Sequence, residues 1–439
     1  MPQSFTIILG KAVRYAAKLR GGGSALPGLF VERIDPHFVP QTLAQLPHGV
    51  VVISGTNGKT TTTKMVVSLL ESQGLTVFTN RTGSNFVRGV AAALLGEVDT
   101  KGRLTADIAV LELDEAHAVK FVEIVPPRYS LLLNVMRDQL DRFGEIDTTA
   151  KMLEKIALAT TDTVVMNRED ARIQRISTVL PRSTTIRYFG LAPALKQHFP
   201  SDDDLHKSAK TTSQASKSAA SSAHASKSGK NTPKADVLLK DFNAKGAAFT
   251  VSGKDFVTPL KLKGIYNIYN SAAALALART IVPDASINSL LGTLSTVTPA
   301  FGRGETITVN GHPLELVLVK NPAGFRLSLD SFSPDGYATM IAINDNYADG
   351  RDMSWLWDVD FTQLTDHPVC VSGIRAYDMA LRLQYDEVGV EKVTPDLHLA
   401  LEEFIARHAD TPKRIYCTYT AMLTLRKDLA KLTRVEVVS

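Results

Sequence analysis

The chain has 439 residues, of which 44% are hydrophobic and 21% charged, and Lys+Arg number 49 against Asp+Glu 45. This mixture excludes a mostly disordered or fibrous chain, and a net charge of +4 with no clustered basic footprint argues against a nucleic-acid partner. Two cysteines, Cys370 and Cys417, exclude a disulfide framework and a four-cysteine zinc site.

No apolar run approaches the ~18 residues of a membrane span. The N-terminal run is interrupted by Lys11 and Arg14 and lacks a small-residue cleavage site, so no secretory signal is read and a cytoplasmic location is expected. At ~150 residues per domain the chain has room for about three domains. Residues 5–19 space Phe5, Ile8, Val13 and Tyr15 as an amphipathic helix would, and the glycines after Arg20 break it. VVVIS (50–54) predicts a buried strand, followed by a glycine turn and a helix with Met65, Leu69 and Leu70 on its apolar side and Gly74 at its end. Further strands are expected at 107–111, 130–135 and 163–167, alternating with helices. That pattern predicts an α/β fold with a parallel sheet covered on both faces.

Residues 201–230 contain nine Ser, six Ala and five Lys and no aromatic residue, a composition expected to stay disordered. Residues 237–262 read as strands joined by a turn at 252–254, and an Ala-rich helix follows. A second alternating series is expected past residue 305, with strands at 314–319, 339–343, 368–372 and 414–418 and helices at 375–385 and 397–408.

The most informative segment is Ser54-Gly55-Thr56-Asn57-Gly58-Lys59-Thr60-Thr61, between a strand and a helix. Glycines let a backbone wrap an anion, and amides at a helix N-terminus point at it. Gly55, Thr56, Asn57, Gly58, Lys59, Thr60 and Thr61 are therefore candidate nucleotide-phosphate contacts, with Lys59 on the terminal phosphates and Thr60 on Mg²⁺. The broader pattern with a glycine at position 53 is not met, since Ile53 stands there. Glu112 ends a predicted strand and could ligate Mg²⁺, with Asp114 and Glu115 as neighbouring alternatives. An acidic cluster there could equally cap a helix.

In order and spacing, GTNGKTT, Glu112 in LELDEAH, LNVMRDQLDRFGEID, GIYNIYNSAAA and GRGE resemble the Mur ligase family. VKNPAGF (319–325) and INDNYADGRDMSWLWDVDF (343–361) narrow the resemblance to the branch of that family that amidates a carboxylate. It covers nearly the whole chain except 195–236. It implies a lead-in helix (1–45), a Mur ligase-like central P-loop domain with a parallel sheet (46–304) and a C-terminal Rossmann-like α/β domain (305–439). It also implies ATP and Mg²⁺, an acyl phosphate intermediate, and ammonia supplied by a GatD-type glutamine amidotransferase subunit. The implied acceptor is the α-carboxylate of D-isoglutamate in the stem peptide of lipid II or a related muropeptide. A lipid-linked acceptor would bring the protein to the inner membrane face. The alternative is a Mur or folylpolyglutamate-type ligase that adds an amino acid.

Residue by residue, the resemblance carries Lys59 and Thr60 over as phosphate and Mg²⁺ contacts and favours Glu112 as the metal carboxylate. Asn267 and Asn270 match a nucleotide-contacting segment, with helix capping as the plain alternative. Arg303 in GRGE and Asn85 in TNRTGSN are further candidate nucleotide contacts. The catalytic aspartate is expected at Asp352, with Asp349 as the fallback, orienting or deprotonating the attacking ammonia. Gln139 in Asp138-Gln139-Leu140-Asp141 stands where the family has a metal-ligating histidine, and neither Lys151 nor Lys155 matches the spacing of the family's modified lysine. Members of this branch often carry a four-cysteine zinc ribbon in the central domain. The Ser/Ala/Lys stretch occupies that place here, so no structural zinc is expected. Cys370, between valines in a strand, reads as a buried apolar thiol, and Trp355 and Trp357 as core or interface anchors.

Overall fold

The structure is a computed structural model that describes residues 3–19, 26–80, 87–136, 146–199, 232–243, 245–262, 264–299 and 303–433. Three helices lead in, at Gln3–Leu19, Leu26–Ile34 and Phe38–Leu43, where the sequence pattern had indicated the first alone. The chain then builds two sheets. The first contains β1 (Val50–Ser54), β2 (Val77–Thr79), β3 (Ile108–Glu112), β4 (Tyr129–Leu132), β5 (Thr163–Asn167), β6 (Thr185–Leu191), β7 (Val237–Asn243), β8 (Gly246–Val251) and β9 (Lys254–Pro259). Their order is β2-β3-β1-β4-β5-β6-β7-β8-β9, parallel from β2 to β7 and antiparallel beyond.

The continuous apolar character of β1 follows from this placement. Val51 and Ile53 pack on one face with the helices Lys59–Glu71 and Ile265–Ile281, while Val50 and Val52 pack on the other with Leu94, Phe121 and Leu153. A strand covered on both sides needs apolar residues at every position. The Ala-rich helix Ile265–Ile281 is buried continuously from Ile268 to Ala278, and its small side chains suit a helix enclosed on all sides. The β8–β9 turn falls at Ser252 and Gly253, both with positive φ, as the twist of a tight hairpin requires.

The second sheet contains β10 (Arg303–Val309), β11 (His312–Leu318), β12 (Ala338–Ala342), β13 (Val369–Ser372), β14 (Val390–Thr394) and β15 (Lys413–Cys417). Their order is β10-β11-β15-β12-β13-β14, with only the β10–β11 pair antiparallel. Here too the alternation divides two cores, Ile341 and Ile343 on one side and Met340 and Ala342 on the other. The expected strands of both sheets lie within two residues of those observed, except that 130–135 runs three residues past the end of β4 at Leu132. The residues expected to be disordered, 201–230, lie wholly outside the described residues, which stop at 199 and resume at 232. No helix among the described residues is long and apolar enough to cross a membrane.

Candidate active site

Strand β1 lies between β3 and β4, so the loop at its carboxyl end opens where the chain switches direction across the sheet. Ligands of open α/β sheets bind at such points. Gly55 and Gly58 hold φ of +133° and +90°. A Cβ on Gly58 would also stand 2.3 Å from Asn270 Nδ2, so both conformation and space require glycine. The helix Lys59–Glu71 begins at the next residue and directs its first amides into the loop. It ends at Glu71, with Gly74 at φ +88° two residues beyond the C-cap Ser72.

Lys59 is buried, and its Nζ donates to Gly55 O at 2.7 Å. The same nitrogen lies 3.2 Å from Asp114 Oδ1 and 3.5 Å from Glu115 Oε2. Asp114 is the N-cap of the helix Glu115–Ile124, yet its side chain makes no capping bond and turns to Lys59 instead. Burial alone would raise the Asp114 pKa, but the charges of Lys59 and Lys320 outweigh it and hold the carboxyl below its ordinary range. Thr60 Oγ1 donates to Glu112 Oε1 at 2.8 Å, so the two expected Mg²⁺ ligands are neighbours.

Four supporting residues were not singled out in the sequence. Asn80, just past β2, accepts from the Glu112 amide at 3.0 Å and donates to the Glu112 carbonyl at 2.7 Å. Asn134, just past β4, clasps Asn57 in the same way: the Asn57 amide donates to Oδ1, and Nδ2 donates to Asn57 O, each at 2.9 Å. The third is Lys320, whose Nζ donates to Thr56 O at 3.0 Å. Beside it, Asn321 Nδ2 donates to Asn57 Oδ1 at 3.2 Å. Lys320 and Asn321 follow β11, so the carboxyl edge of the second sheet meets the phosphate loop. Asn80 and Asn134 each follow an apolar run and fall within TNRTGSN and LNVMRDQLDRFGEID, and Lys320 lies within VKNPAGF.

Asn270 is not a helix cap. It lies inside the helix Ile265–Ile281, and its buried Nδ2 has no hydrogen-bond partner among the described residues. Asn267 occupies the first turn of that helix and is half-buried. Thr61 Oγ1 is likewise buried without a partner. Arg303 opens β10, and its side chain lies outside what is described, as do Asn85, Asp138, Gln139 and Asp141. Lys151 and Lys155 are exposed on the helix Ile146–Ala159.

The two expected catalytic aspartates sit differently. Asp349, 2% exposed, follows β12 at the carboxyl edge of the second sheet. It accepts from the Thr420 amide at 2.8 Å, from the Thr420 hydroxyl, and from the Asn346 amide at 3.1 Å. Burial raises its pKa against these hydrogen bonds. Asp352 is half-buried and lies just before Met353, the N-cap of the short helix Ser354–Asp358, where it accepts from Ser354 N at 2.9 Å. The Ser354 side-chain and backbone hydrogen bonds hold its pKa down. Asp345 is engaged by Arg375 at 2.7 Å. Trp355 is buried in the core, whereas Trp357 is half-exposed against Tyr385.

A family model described as Mur ligase middle domain matches residues 53–196. MurF from Acinetobacter baumannii superposes with a TM-score of 0.66 and 18% identity, over 92% of this chain and 80% of that one. The MurF ligase from Thermotoga maritima in complex with ADP superposes with a TM-score of 0.64 and 17% identity, over 90% and 83%. The fold is that of the Mur ligases. Within that class, a family model described as MurT ligase C-terminal matches residues 318–422. The MurT subunit of the glutamine-hydrolysing lipid II isoglutaminyl synthase of Streptococcus pneumoniae (strain ATCC BAA-255 / R6) is 31% identical over 97% of this chain and 96% of its own. The corresponding subunit of Staphylococcus aureus (strain COL) is 28% identical over 89% of each. The chain belongs to the MurT family.

Proposed function

We infer that the chain is the ATP-dependent ligase subunit of a glutamine-hydrolysing lipid II isoglutaminyl synthase. The observation that carries this reading is the contact of Lys320 and Asn321 with Thr56 and Asn57. It joins a phosphate loop to the sheet edge that bears Asp349. The end-to-end similarity to MurT subunits supports the same activity.

In this reading the amides of Gly55–Thr61 hold the phosphates, and Lys59 exchanges Asp114 and Glu115 for the terminal phosphates. The partnerless amide of Asn270 and the close approach at Gly58 fit a nucleotide in the loop. Asn267, Arg303 and Asn85 are proposed as further nucleotide contacts. A hydroxyl beside a carboxylate is an oxygen donor set suited to Mg²⁺, which Thr60 and Glu112 would hold. Bound there, the ion would offset charge on the phosphates.

An oxygen of the acceptor carboxylate attacks the γ-phosphorus and ADP leaves, giving an acyl phosphate. Ammonia then attacks the carbonyl carbon, phosphate departs, and the nitrogen gives up a proton. We assign that proton to Asp349, whose buried carboxyl is the stronger base of the two candidates, and keep Asp352 as the second. Burial pushes the Cys370 thiol up to about 12 and raises that of Cys417 as well, so neither is a ready nucleophile for glutamine. Glutamine hydrolysis is therefore assigned to a separate GatD-type subunit. The acceptor is the α-carboxylate of D-isoglutamate in the lipid II stem peptide, which would bring the protein to the membrane face.

The test uses the chain with its glutaminase partner, glutamine, ATP and an acceptor labelled with ¹⁸O in the carboxylate. Amide product with ¹⁸O in the released phosphate is expected. Amide with unlabelled phosphate overturns the acyl phosphate route. A product heavier than the acceptor by an amino-acid residue assigns the chain to the amino-acid-adding ligases instead.

A further inference from the structure

Away from the phosphate loop, three ligand-bearing side chains converge on one face of the second sheet. Cys370 lies on β13, Glu391 on β14, and His408 caps the helix Leu397–Arg407. Cys370 Sγ is 3.6 Å from Glu391 Oε2, and His408 Nε2 is 3.3 Å from that same oxygen. One ligand atom from each lies within 4.8 Å of the other two. We propose that Cys370, Glu391 and His408 form a binding site for a divalent transition metal of the zinc type.

Tetrahedral zinc has bonds of ~2.3 Å to sulfur and ~2.0 Å to nitrogen or oxygen, which set ligand–ligand edges of roughly 3.3–3.6 Å. The two measured separations match those edges without movement. The donor set also fits, since thiolate and imidazole select zinc-like ions over Mg²⁺ or Ca²⁺.

Two features of the fold support the site. The pairing of β13 and β14 shifts register between Val369–Val390 and Cys370–Lys392, leaving Glu391 as the extra residue. Such shifts re-aim a side chain, and here the Glu391 carboxylate faces Cys370. Arg407 Nη1 donates to Glu391 Oε1 at 3.0 Å, which fixes the carboxylate and leaves Oε2 toward the cluster. A ligating carboxylate held from behind in this way is the usual outer-shell arrangement of metal sites. In addition, His408 Nε2 is buried and makes no hydrogen bond among the described residues.

The two neighbouring cations are each ion-paired. Lys392 is paired with Glu403 at 2.7 Å, and Arg407 with Glu391. A cavity of about 10 Å³, lined by Cys370, Lys392, Glu403 and Arg407 among others, adjoins the thiol. On binding, the Cys370 proton is released to solvent and the thiolate sulfur bonds the metal. The ion would tie β13, β14 and the helix Leu397–Arg407 together. It is a different site from the four-cysteine ribbon and independent of Mg²⁺.

The test is a titration of the full chain, stripped of metal and saturated with Mg·ADP, with Co²⁺ and then Zn²⁺. One ion per chain is expected, with a thiolate-to-cobalt charge-transfer band, displacement by Zn²⁺, and protection of Cys370 from alkylation. Cys370→Ser and His408→Gln should each lose the band and the site. Arg407→Gln, which removes only the positioning contact, should weaken binding about 10- to 100-fold. Circular dichroism of each variant verifies folding, and the band and Cys370 protection in the unmodified chain keep the test decisive should a variant misfold. Absence of both in the unmodified chain, or binding unchanged in folded Cys370→Ser and His408→Gln, overturns the proposal.

Discussion

The carboxyl edges of the two sheets meet in one place but are built in opposite electrostatic senses. The edge of β1 offers glycine amides, a helix N-terminus and a buried ammonium at Lys59, all suited to anions. The edge of β12 and β15 offers a buried carboxylate at Asp349 held by threonine and backbone donors. The first can stabilise charge on transferring phosphate, whereas the second can take a proton from nitrogen. Lys320 crosses between them, near enough to lower the Asp114 pKa from the other sheet. Under the proposed function the contrast would place phosphoryl transfer at one edge and amine chemistry at the other, and each half can be attacked separately.

The largest effect is expected at the anion-binding edge. Removing a preorganised charge that acts on transferring phosphate costs on the order of 10³-fold. Lys59→Ala should lower ADP formation by about that factor with acceptor and ammonia saturating. A rate near that of the unmodified enzyme would break the assignment of phosphoryl transfer to this edge.

Asp349→Asn should cost about 10²-fold in amide formation, the range of a lost general base. It should spare the first half-reaction, so that hydroxylamine still traps the acyl phosphate at an undiminished rate. Burial raises the Asp349 pKa, and the base form disappears as pH falls through that raised value. The acid limb of the amidation profile should therefore lie above the ordinary carboxylate value of about 4, and the Asn variant should lack it. If the limb survives in that variant and vanishes in Asp352→Asn, the proton belongs to Asp352.

The asymmetry between the edges also explains what could be read from the sequence. The phosphate loop was legible because its proposed function is local: two glycines at positive φ, one lysine and one threonine, within six consecutive residues. Glu112 was legible because it ends an apolar strand beside that loop. Asn80 and Asn134 were not, because their work is to hold backbone groups brought together by sheet order, and nothing in their local sequence encodes it. The same holds for Lys320, whose partner Thr56 is 264 residues away. Cys370 looked like a plain core thiol between valines, and the neighbours that change its meaning come from another strand and a helix end. The capping alternatives for Asp114 and Asn270 were reasonable locally: Asp114 does hold the N-cap position but turns its carboxylate to Lys59, and Asn270 lies inside its helix rather than at the end.

A smaller effect is expected where the edges join. Lys320→Ala removes one charged donor from the loop backbone, so kcat/KM for ATP should fall about 10-fold, the equivalent of ~1.4 kcal/mol. The loss should be similar for ADP production with ammonia or with glutamine as the nitrogen source. A loss confined to glutamine would place Lys320 on the route of ammonia instead, and the contrast between the edges would need redrawing.

The smallest effect concerns the carboxylates that neutralise Lys59 before phosphate arrives. Asp114→Asn leaves Glu115 in place, so the free enzyme should lose only about 1 kcal/mol of stability, the scale of one partly buried hydrogen bond. The folded-state pKa of Asp114 is depressed, so its contribution is present above the unfolded value of about 3.9 and disappears as pH falls through the lower folded value. The stability gap between the two proteins should therefore be open at neutral pH and close in acid. Saturating Mg·ADP should narrow it at neutral pH, because the phosphates then supply the negative charge that Lys59 needs. A gap of the same size with and without nucleotide would mean that Lys59 stays with Asp114 throughout. The anionic pair would then be a permanent part of the core rather than a placeholder for phosphate.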